Sequence, residues 1–221
     1  MAILQASHLK KYYGREESLV KALDDVSVSM EDGQFVAIIG TSGSGKSTLL
    51  NMLGGLDSPD AGSVRVENEN LENLTEERLT VFRRQRIGFI FQNYNLIPYL
   101  TVYENIVLSV RLDGKTEDTT FLKEIVRFLG LDEKLRSYPG HLSGGQQQRA
   151  AIARALVSKP AVILADEPTG NLDSRTSDKV VELLKTTSKT FNQTIVMITH
   201  NPEIAKKADV RIRMEDGKIY V

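Results

Sequence analysis

The stretch Gly40–Ser47 constrains the fold of this chain more than any other. Its sequence, Gly-Thr-Ser-Gly-Ser-Gly-Lys-Ser, fits the pattern G-x-x-x-x-G-K-[ST] and directly follows the apolar run Phe35–Ile39. That run predicts a strand buried on both faces, as in a parallel sheet, and we expect a helix from Lys46 to about Gly54. A strand, a glycine-rich turn and a helix in this order are typical of a phosphate-binding loop.

The residue types of this loop suit phosphate binding. Glycines let successive backbone N–H groups turn towards phosphate oxygens, and the N-terminus of the helix adds a partial positive charge. The Lys46 ammonium can reach the β- and γ-phosphates of a nucleotide, and the Ser47 hydroxyl can ligate Mg²⁺. The alternative is a turn that merely joins two elements, and the flanking strand and helix argue against it. The candidate phosphate ligands are Gly40, Thr41, Ser42, Gly43, Ser44, Gly45, Lys46 and Ser47.

Further apolar runs predict the rest of a mostly parallel sheet. Val162–Ala165 and Ile195–Ile198 read as two more buried strands, and short apolar runs alternate with helical patterns, as in βαβ units. The alternating patterns of Ala22–Met30 and Ser63–Glu67 predict half-exposed antiparallel strands that flank this sheet. We therefore expect an α/β fold with an antiparallel β flank.

A helical segment interrupts the predicted strands. Residues 101–130 contain no buried strand, and the apolar residues from Leu122 to Leu129 recur at helical spacing. We expect one domain with an inserted helical subdomain. The predicted bounds are 1–221 for the domain, about 1–92 and 159–221 for its core, and about 93–158 for the helical subdomain.

Composition and charge narrow the class of protein. With 41% hydrophobic and 26% charged residues, the chain is typical of globular proteins. Its net charge of −1 provides no basic field for nucleic acid, and the absence of cysteine excludes disulfides and thiolate metal sites. No apolar run approaches the ~20 residues that span a bilayer, and residues 1–10 do not resemble a secretory signal. We expect a cytoplasmic chain that reaches a membrane only through a partner.

Polar side chains follow two of the predicted strands. Asp166 and Glu167 come directly after Val162–Ala165, and His200 ends the run Ile195–Thr199. Because ligands of open parallel sheets bind beyond the carboxyl ends of the strands, we expect these side chains beside the phosphate-binding loop. Each one alone is also typical of a solvated or structural strand end. Three strand ends that converge on one loop favour a functional site.

The chemistry of each group indicates its role. Asp166 is a candidate carboxylate for Mg²⁺, either in direct contact or one shell further out. Glu167 can orient or deprotonate an attacking water, and a neutral His200 can hydrogen-bond to the γ-phosphate. Pro168 predicts an extended backbone at Glu167, which would help to hold this carboxylate at the strand end.

The run Leu-Ser-Gly-Gly-Gln at Leu142–Gln146 has two interpretations. Ser143 and Gln146 fit the capping-box pattern S-x-x-Q, which predicts the start of a helix that runs to Val157. The longer run Leu142–Arg149 also resembles the signature motif of ABC ATPases. The other motifs of that family follow in the expected order over essentially the whole chain, so the chain resembles an ABC transporter ATP-binding subunit.

The resemblance implies roles for further residues. Gly40–Thr48 is similar to the Walker A loop, Val162–Asp166 to Walker B and Asn171–Asp173 to the D-loop. Gln92 resembles the Q-loop glutamine, and Tyr13 the aromatic residue that stacks on adenine, with Tyr12 as the alternative. The implied catalytic residues are Lys46, Gln92, Glu167 and His200, and the implied Mg²⁺ ligands are Ser47, Gln92 and Asp166. The implied ATP contacts are Tyr13, residues 40–48, Ser143, Gly144, Gly145, Gln146 and Asp173.

The resemblance also implies partners. Two copies form a homodimer in the ATP-bound state, in which each ATP lies between one Walker A loop and Ser143, Gly144 and Gly145 of the other copy. These residues offer a second helix N-terminus to the γ-phosphate, which ADP lacks. The family further implies an integral membrane permease subunit as partner, which would hold this chain at the inner face of the cell membrane. No nucleic-acid partner is implied.

Four runs indicate a subgroup. Leu49–Asp57, Ile87–Gln92, Asn95–Pro98 and Leu164–Asp173 resemble the MacB, LolD, FtsE and BceA-like group, which is linked to peptide or macrolide export, lipoprotein release or cell-wall control. A soluble ABC ATPase that acts on DNA or ribosomes is the alternative, but the chain lacks sustained heptads and a second ATPase domain. A P-loop kinase or GTPase leaves the signature motif unexplained.

The segment Asn93–Leu100 connects Gln92 to the predicted helical subdomain. It combines apolar and aromatic side chains with a proline. Leu96, Ile97 and Leu100 can simply pack the helices onto the sheet, since scattered apolar residues are common on surfaces. Alternatively, the segment and the helices form a groove that receives a short cytoplasmic helix of the membrane subunit.

Overall fold

A computed structural model describes residues 2–220, so Met1 and Val221, the two ends of the predicted domain, lie outside the described residues. The strands are β1 (Ala2–Tyr13), β2 (Val20–Glu31), β3 (Phe35–Ile39), β4 (Ala61–Val66), β5 (Glu69–Asn70), β6 (Ile87–Ile90), β7 (Val162–Asp166), β8 (Thr194–Thr199), β9 (Val210–Glu215) and β10 (Lys218–Tyr220). The helices are α1 (Lys46–Leu53), α2 (Glu76–Arg86), α3 (Val102–Leu112), α4 (Thr119–Phe128), α5 (Gly144–Leu156), α6 (Ser174–Thr190) and α7 (Pro202–Ala205).

The central sheet has six strands in the order β10-β9-β3-β8-β7-β6. All neighbours run parallel except β10, which pairs antiparallel with β9. The buried strands predicted from the apolar runs are confirmed as β3, β7 and β8. Because these three strands are neighbours, their carboxyl ends meet at one edge, where Ile39 pairs with Thr199 and Asp166 with Ile198.

A second sheet of four antiparallel strands, in the order β2-β1-β4-β5, flanks the first. The two flanking strands predicted from alternating patterns are confirmed as β2 and β4. Strand β1, which lies between them, is not indicated by the sequence pattern. A register shift between Ala6 and Leu9, with a left-handed φ of 52° at His8, breaks its alternation.

Apolar clusters cover both faces of the central sheet. Phe35 and Ala37 of β3 join the cluster that holds α3, α4, α5 and α6, whereas Val36 and Ile38 join the cluster of α1 and the antiparallel sheet. This division follows from the alternation of side chains along a strand. Helices α3, α4 and α5 lie between β6 and β7 in the chain and bury their apolar faces in the first cluster.

The helices of the described residues have between 4 and 17 residues. The longest, α6, has 17 residues and carries charged side chains on its exposed face. Within residues 2–220, no helix has both the length and the apolarity that a bilayer crossing requires.

Candidate functional site

The predicted phosphate-binding loop connects β3 to α1. Gly45 is the N-cap of α1 and has a φ of 98°, a left-handed conformation that favours glycine. A Cβ atom on Gly45 would lie 2.1 Å from the carbonyl oxygen of Ala22 on β2. Glycine is therefore required here both by the turn and by the close approach of the antiparallel sheet.

The Lys46 ammonium lies inside this loop. Its Nζ donates hydrogen bonds to the carbonyl oxygens of Gly40 at 3.0 Å and Thr41 at 2.6 Å, and to Ser44 Oγ at 3.2 Å. Lys46 is only 7% exposed, so its charge is surrounded by neutral oxygen atoms. A phosphate oxygen makes a stronger, charge-assisted hydrogen bond than these acceptors do. The arrangement suits an ammonium that transfers its contacts to the phosphates of a nucleotide.

Ser47 and Asp166 bring two oxygen ligands together at the start of α1. Ser47 Oγ donates to Asp166 Oδ1 at 3.3 Å. Burial raises the pKa of Asp166 above its ordinary value, and the charge of Glu167 adds to this effect, while Ser47 and Lys46 oppose it. A cation bound at this point would favour the carboxylate.

This donor set fits Mg²⁺ bound together with a nucleotide. Mg²⁺ takes hard oxygen ligands and is commonly held by one or two protein groups together with substrate phosphates and water. No group of three or more acidic or histidine side chains suited to a metal occurs within residues 2–220. Besides Ser47 and Asp166, such an ion would be held by nucleotide phosphates, water and other side-chain oxygens.

Glu167 and His200 meet across the ends of β7 and β8. Glu167 Oε2 lies 2.6 Å from His200 Nδ1. The extended backbone predicted for Glu167 is wrong, because its φ is 43°. A tight turn overrides the preference that Pro168 imposes: the Glu167 N–H donates to the Ile198 oxygen at 3.2 Å, and its carbonyl accepts from the Gly170 N–H at 3.0 Å. A left-handed non-glycine residue is strained, as is common at functional sites.

One cleft of about 620 Å³ brings together part of the predicted site. It is lined by loop residues between Ser42 and Thr48, by Glu167 and His200, and by Tyr13 at the end of β1. Tyr12 points elsewhere, since its hydroxyl donates to Asp24 Oδ1 at 2.7 Å. Tyr13 therefore lines the cleft, whereas Tyr12 does not.

Strand β2 contributes two further residues to the cleft lining, and two residues of the phosphate-binding loop line an adjoining cavity instead. Val20 and Ala22 of β2 also line the cleft, and sequence reasoning missed them because they are ordinary apolar residues of a flanking strand. Gly40 and Thr41 line a smaller adjoining cavity of about 280 Å³, which His200 also borders.

Gln92 and Asp173 do not line this cleft. The Gln92 side chain lies against Gly170. A Cβ atom added to Gly170 would lie 2.6 Å from the amide nitrogen of Gln92. Asp173 is the N-cap of α6, and its Oδ1 accepts from the Thr176 N–H at 3.1 Å. Hydrogen bonds with Thr176 lower the pKa of Asp173 below its ordinary value.

Ser143 caps α5, as the sequence predicts. The Gln146 N–H donates to Ser143 Oγ at 3.4 Å, and the Ser143 N–H donates to Gln146 Oε1 at 2.9 Å, which completes the capping box. Ser143 and Gly145 line a separate pocket of about 490 Å³ between α4, α5 and α6. The run Leu142–Gln146 and the phosphate-binding loop of the same chain therefore border different cavities.

A groove of about 340 Å³ lies near the segment Asn93–Leu100. Its lining includes the apolar side chains of Leu56, Phe89 and Phe91. Within the segment, Leu96 packs against the core, whereas Ile97 is 38% exposed and Tyr99 is 88% exposed. Packing onto the sheet therefore accounts for Leu96 but not for these two exposed residues.

Arg154 is a residue of this region that sequence reasoning missed. It lines the groove, and its guanidinium donates to the carbonyl oxygens of Asn95 and, at 2.7 Å, of Tyr94. These bonds tie the segment that follows Gln92 to helix α5. The available signal was a charged residue within the buried apolar stretch Ala150–Leu156.

Comparisons with known proteins cover nearly the whole chain. The profile of the family described as ABC transporter matches residues 23–170. The lipoprotein-releasing system ATP-binding protein LolD of Cytophaga hutchinsonii is 42% identical over 219 residues, which make up 98% of each chain. The macrolide export ATP-binding/permease protein MacB of Mannheimia succiniciproducens is 44% identical over 221 residues, which cover 99% of this chain but 34% of that protein.

A solved structure gives the same result for the fold. The dimeric structure of a post-hydrolysis state of the ATP-binding cassette MJ0796, bound to ADP and Pi, matches with a TM-score of 0.87. It is 39% identical in sequence, and the match covers 99% of this chain and 97% of that one. The prediction of an α/β fold of the ABC ATPase type is confirmed.

Proposed function

Because this chain belongs to the ABC transporter family, we propose that it is the ATP-hydrolysing subunit that drives a separate membrane-spanning polypeptide. It binds ATP and is an ATPase, as are the cassettes to which it is similar. Its relatives include a lipoprotein-releasing protein and a macrolide exporter, so we propose cargo of the exported or extracted type. The choice of cargo belongs to the membrane subunit.

The division of the site between two surfaces carries this proposal. The cleft with the Walker A loop, Glu167 and His200 does not include Ser143 or Gly145, which border another pocket. A single copy therefore lacks the signature motif at its own nucleotide. A head-to-tail homodimer supplies it, because the N-terminus of α5 of one copy then faces the γ-phosphate in the cleft of the other.

Within each composite site, the residues divide the work of hydrolysis. Lys46 binds the β- and γ-phosphates, and Tyr13 stacks on the adenine base. Glu167 accepts a proton from the attacking water, and His200, which contacts Glu167 at 2.6 Å, holds this carboxylate and hydrogen-bonds to the γ-phosphate. Ser47, Asp166 and Gln92 would hold Mg²⁺, which when bound offsets the charge of the phosphate oxygens.

The groove near Asn93–Leu100 is the proposed contact with the membrane subunit. A short cytoplasmic helix of that subunit would bury its apolar face on Phe89, Phe91 and the exposed Ile97 and Tyr99. The bonds from Arg154 to this segment would transmit its movement to α5. In this proposal residues 93–158 move as a helical subdomain relative to the core. The whole chain lies in the cytoplasm, on the inner face of the membrane.

Mixing two inactive variants tests the composite site. Ser143→Arg keeps its own Walker A loop but puts bulk in front of the partner's nucleotide, whereas Lys46→Ala keeps its signature motif but loses the phosphate contact. Each variant alone should lose ATPase activity. In a mixed dimer, the Walker A loop of the Ser143→Arg copy meets the signature motif of the Lys46→Ala copy. One site is then intact, so the mixture should recover part of the ATPase activity.

Ser143→Ala is the matched control, since it removes the cap of α5 without adding bulk. In its folded fraction it should retain more ATPase activity than Ser143→Arg, because it leaves the partner's nucleotide unobstructed. A Ser143→Arg chain that hydrolyses ATP at the wild-type rate would show that the signature motif does not act on the partner's nucleotide.

The membrane contact has its own test. Ile97→Asp combined with Tyr99→Asp should abolish co-purification with the membrane subunit and leave the basal ATPase activity unchanged. Tyr220→Asp is the matched control, because Tyr220 is also exposed, at 52%, but lies on the edge strand β10. Equal recovery of the membrane subunit with both variants would exclude the exposed side chains of Ile97 and Tyr99 as part of its binding site.

A further inference from the structure

Tyr13, which lines the cleft, is fixed by residues from another part of the chain. Its hydroxyl donates to Asp57 Oδ2 at 3.1 Å. Asp57 lies in the loop that follows α1, and its other oxygen accepts from Lys11 Nζ at 3.0 Å. Lys11 also lies over the Tyr13 ring, 5.5 Å from its centroid. The ring of Tyr13 is thus held at its hydroxyl and on one face.

The protonation states fix the direction of these bonds. Burial and then the hydrogen bond with Asp57 raise the pKa of Tyr13 above its ordinary value, so Tyr13 is a phenol and a donor at neutral pH. Burial would raise the pKa of Asp57, but the bonds from Lys11, from the Ser58 N–H and from Tyr13 outweigh it and lower this pKa. Asp57 is therefore a carboxylate that accepts from both Lys11 and Tyr13.

The loop that carries Asp57 is anchored independently of Asp57. The Asp60 N–H donates to the Lys10 carbonyl at 2.8 Å, and the Tyr12 N–H donates to Asp60 Oδ2 at 2.6 Å. Loss of the Asp57 carboxylate would therefore release the Tyr13 ring while β1 and the loop stay joined. This separation makes the role of Asp57 testable by substitution.

The network leaves one face of the ring for a ligand. Lys11 covers one face of Tyr13, and Lys11 does not belong to the cleft lining, whereas Tyr13 does. A planar base in the cleft would therefore stack on the opposite face. Tyr13 is 43% exposed, so without these contacts its ring would be free to rotate out of the stacking position.

We propose that Asp57, supported by Lys11, is a positioning residue for the nucleotide base, which it serves by holding the Tyr13 ring ready for stacking. The inference rests on the proposed role of Tyr13 and adds Asp57 and Lys11, to which the sequence motifs assign no role at the nucleotide. Helix α1 then links two functions, because the phosphate-binding loop precedes it and Asp57 follows it. A helix of this length spans about 12 Å and sets a fixed spacing between the two ends of the nucleotide site.

Binding of ATP and of inorganic tripolyphosphate separates the base from the phosphates. Dissociation constants are measured by calorimetric titration in excess EDTA, so that hydrolysis does not intervene. Asp57→Ala should weaken ATP binding about three- to tenfold, which is the effect of leaving one contact side chain unordered. Its affinity for tripolyphosphate, which has no base, should stay within about twofold of the wild type by the same reasoning.

Three further variants exclude a general effect on the fold. Asp57→Asn keeps an oxygen acceptor for the Tyr13 hydroxyl and should restore part of the ATP affinity. Asp24→Ala removes the matching contact of Tyr12, outside the cleft, and should leave both affinities unchanged. In a Tyr13→Ala background, Asp57→Ala should cause no further loss of ATP affinity.

These measurements distinguish a failure of the positioning role of Asp57 from a failure of the stacking role of Tyr13. Equal weakening of ATP and tripolyphosphate by Asp57→Ala would overturn the inference, as would an undiminished effect of Asp57→Ala in the Tyr13→Ala background. If Tyr13→Ala alone leaves the ATP affinity unchanged, the proposed stacking role of Tyr13 fails first. If Tyr13→Ala weakens ATP binding and Asp57→Ala does not, only the positioning role is refuted.

Discussion

Replacement of Gly40 by alanine tests how tightly the phosphate-binding loop packs against the sheet. A Cβ atom at this position would lie 2.1 Å from the carbonyl oxygen of Met214 on β9 and 2.7 Å from Ser44 Oγ. Strand β9 is hydrogen-bonded between β3 and β10, so the loop has to move instead. One extra carbon in a packed site destabilises a protein by about 1–3 kcal/mol. For a chain of this size, each kcal/mol lowers Tm by about 2–4 °C.

Two other glycines provide matched controls for Gly40→Ala. Gly140 has no heavy atom within 4 Å of an added Cβ and no left-handed φ, so Gly140→Ala should change the free energy of unfolding by less than about 0.5 kcal/mol. Gly43 is equally open but has a φ of 80°, so Gly43→Ala should lose about 1–2 kcal/mol through backbone strain alone.

Scanning calorimetry on the three variants, with and without ATP, measures the loss of stability and the stabilisation by the nucleotide. Gly40→Ala should melt below Gly140→Ala, and its Tm should rise less with ATP, because a displaced loop binds phosphate less well and ligand stabilisation follows affinity. If Gly40→Ala melts together with Gly140→Ala, the close packing of β9 against the loop does not constrain this position.

Three further substitutions address the proposed roles. Glu167→Gln should lower kcat about 10²–10⁴-fold and retain ATP binding, because an amide cannot accept the proton; an unchanged kcat would remove Glu167 from catalysis. Lys46→Ala should instead raise the dissociation constant for ATP, because the cation held within the loop is lost; titration that gives the wild-type value would contradict this. Ser143→Ala should lower the free energy of unfolding by about 1 kcal/mol through loss of the α5 cap, and identical urea denaturation curves would refute it.

Local patterns predict much of the fold. The apolar runs of β3, β7 and β8 are unambiguous because both faces of each strand are buried. The capping box at Ser143 fixes the start of α5 to within one turn, since its two hydrogen bonds involve only nearby residues. Strand β1 escapes prediction because its irregular register hides the alternation of its side chains.

The candidate site is less predictable where distant segments meet. The left-handed backbone of Glu167 depends on its hydrogen bond to Ile198 on β8, which no local preference encodes. The contact between Tyr13 and Asp57 joins residues 44 positions apart, and neither side chain has an unusual sequence environment. Tertiary packing decides both features, so they emerge only from the structure.

In the proposed mechanism, ATP joins two copies of this chain through the signature motif. The most direct measurement is the molar mass of Glu167→Gln by light scattering after size exclusion, with ATP and Mg²⁺ and, separately, with ADP. With ATP the mass should double from the 24.6 kDa of the single chain. With ADP, or in the double variant Glu167→Gln with Ser143→Arg, the mass should remain that of one chain. A mass that stays at one chain in saturating ATP, or a dimer that forms equally in ADP, would rule out an ATP-dependent dimer joined by the signature motif.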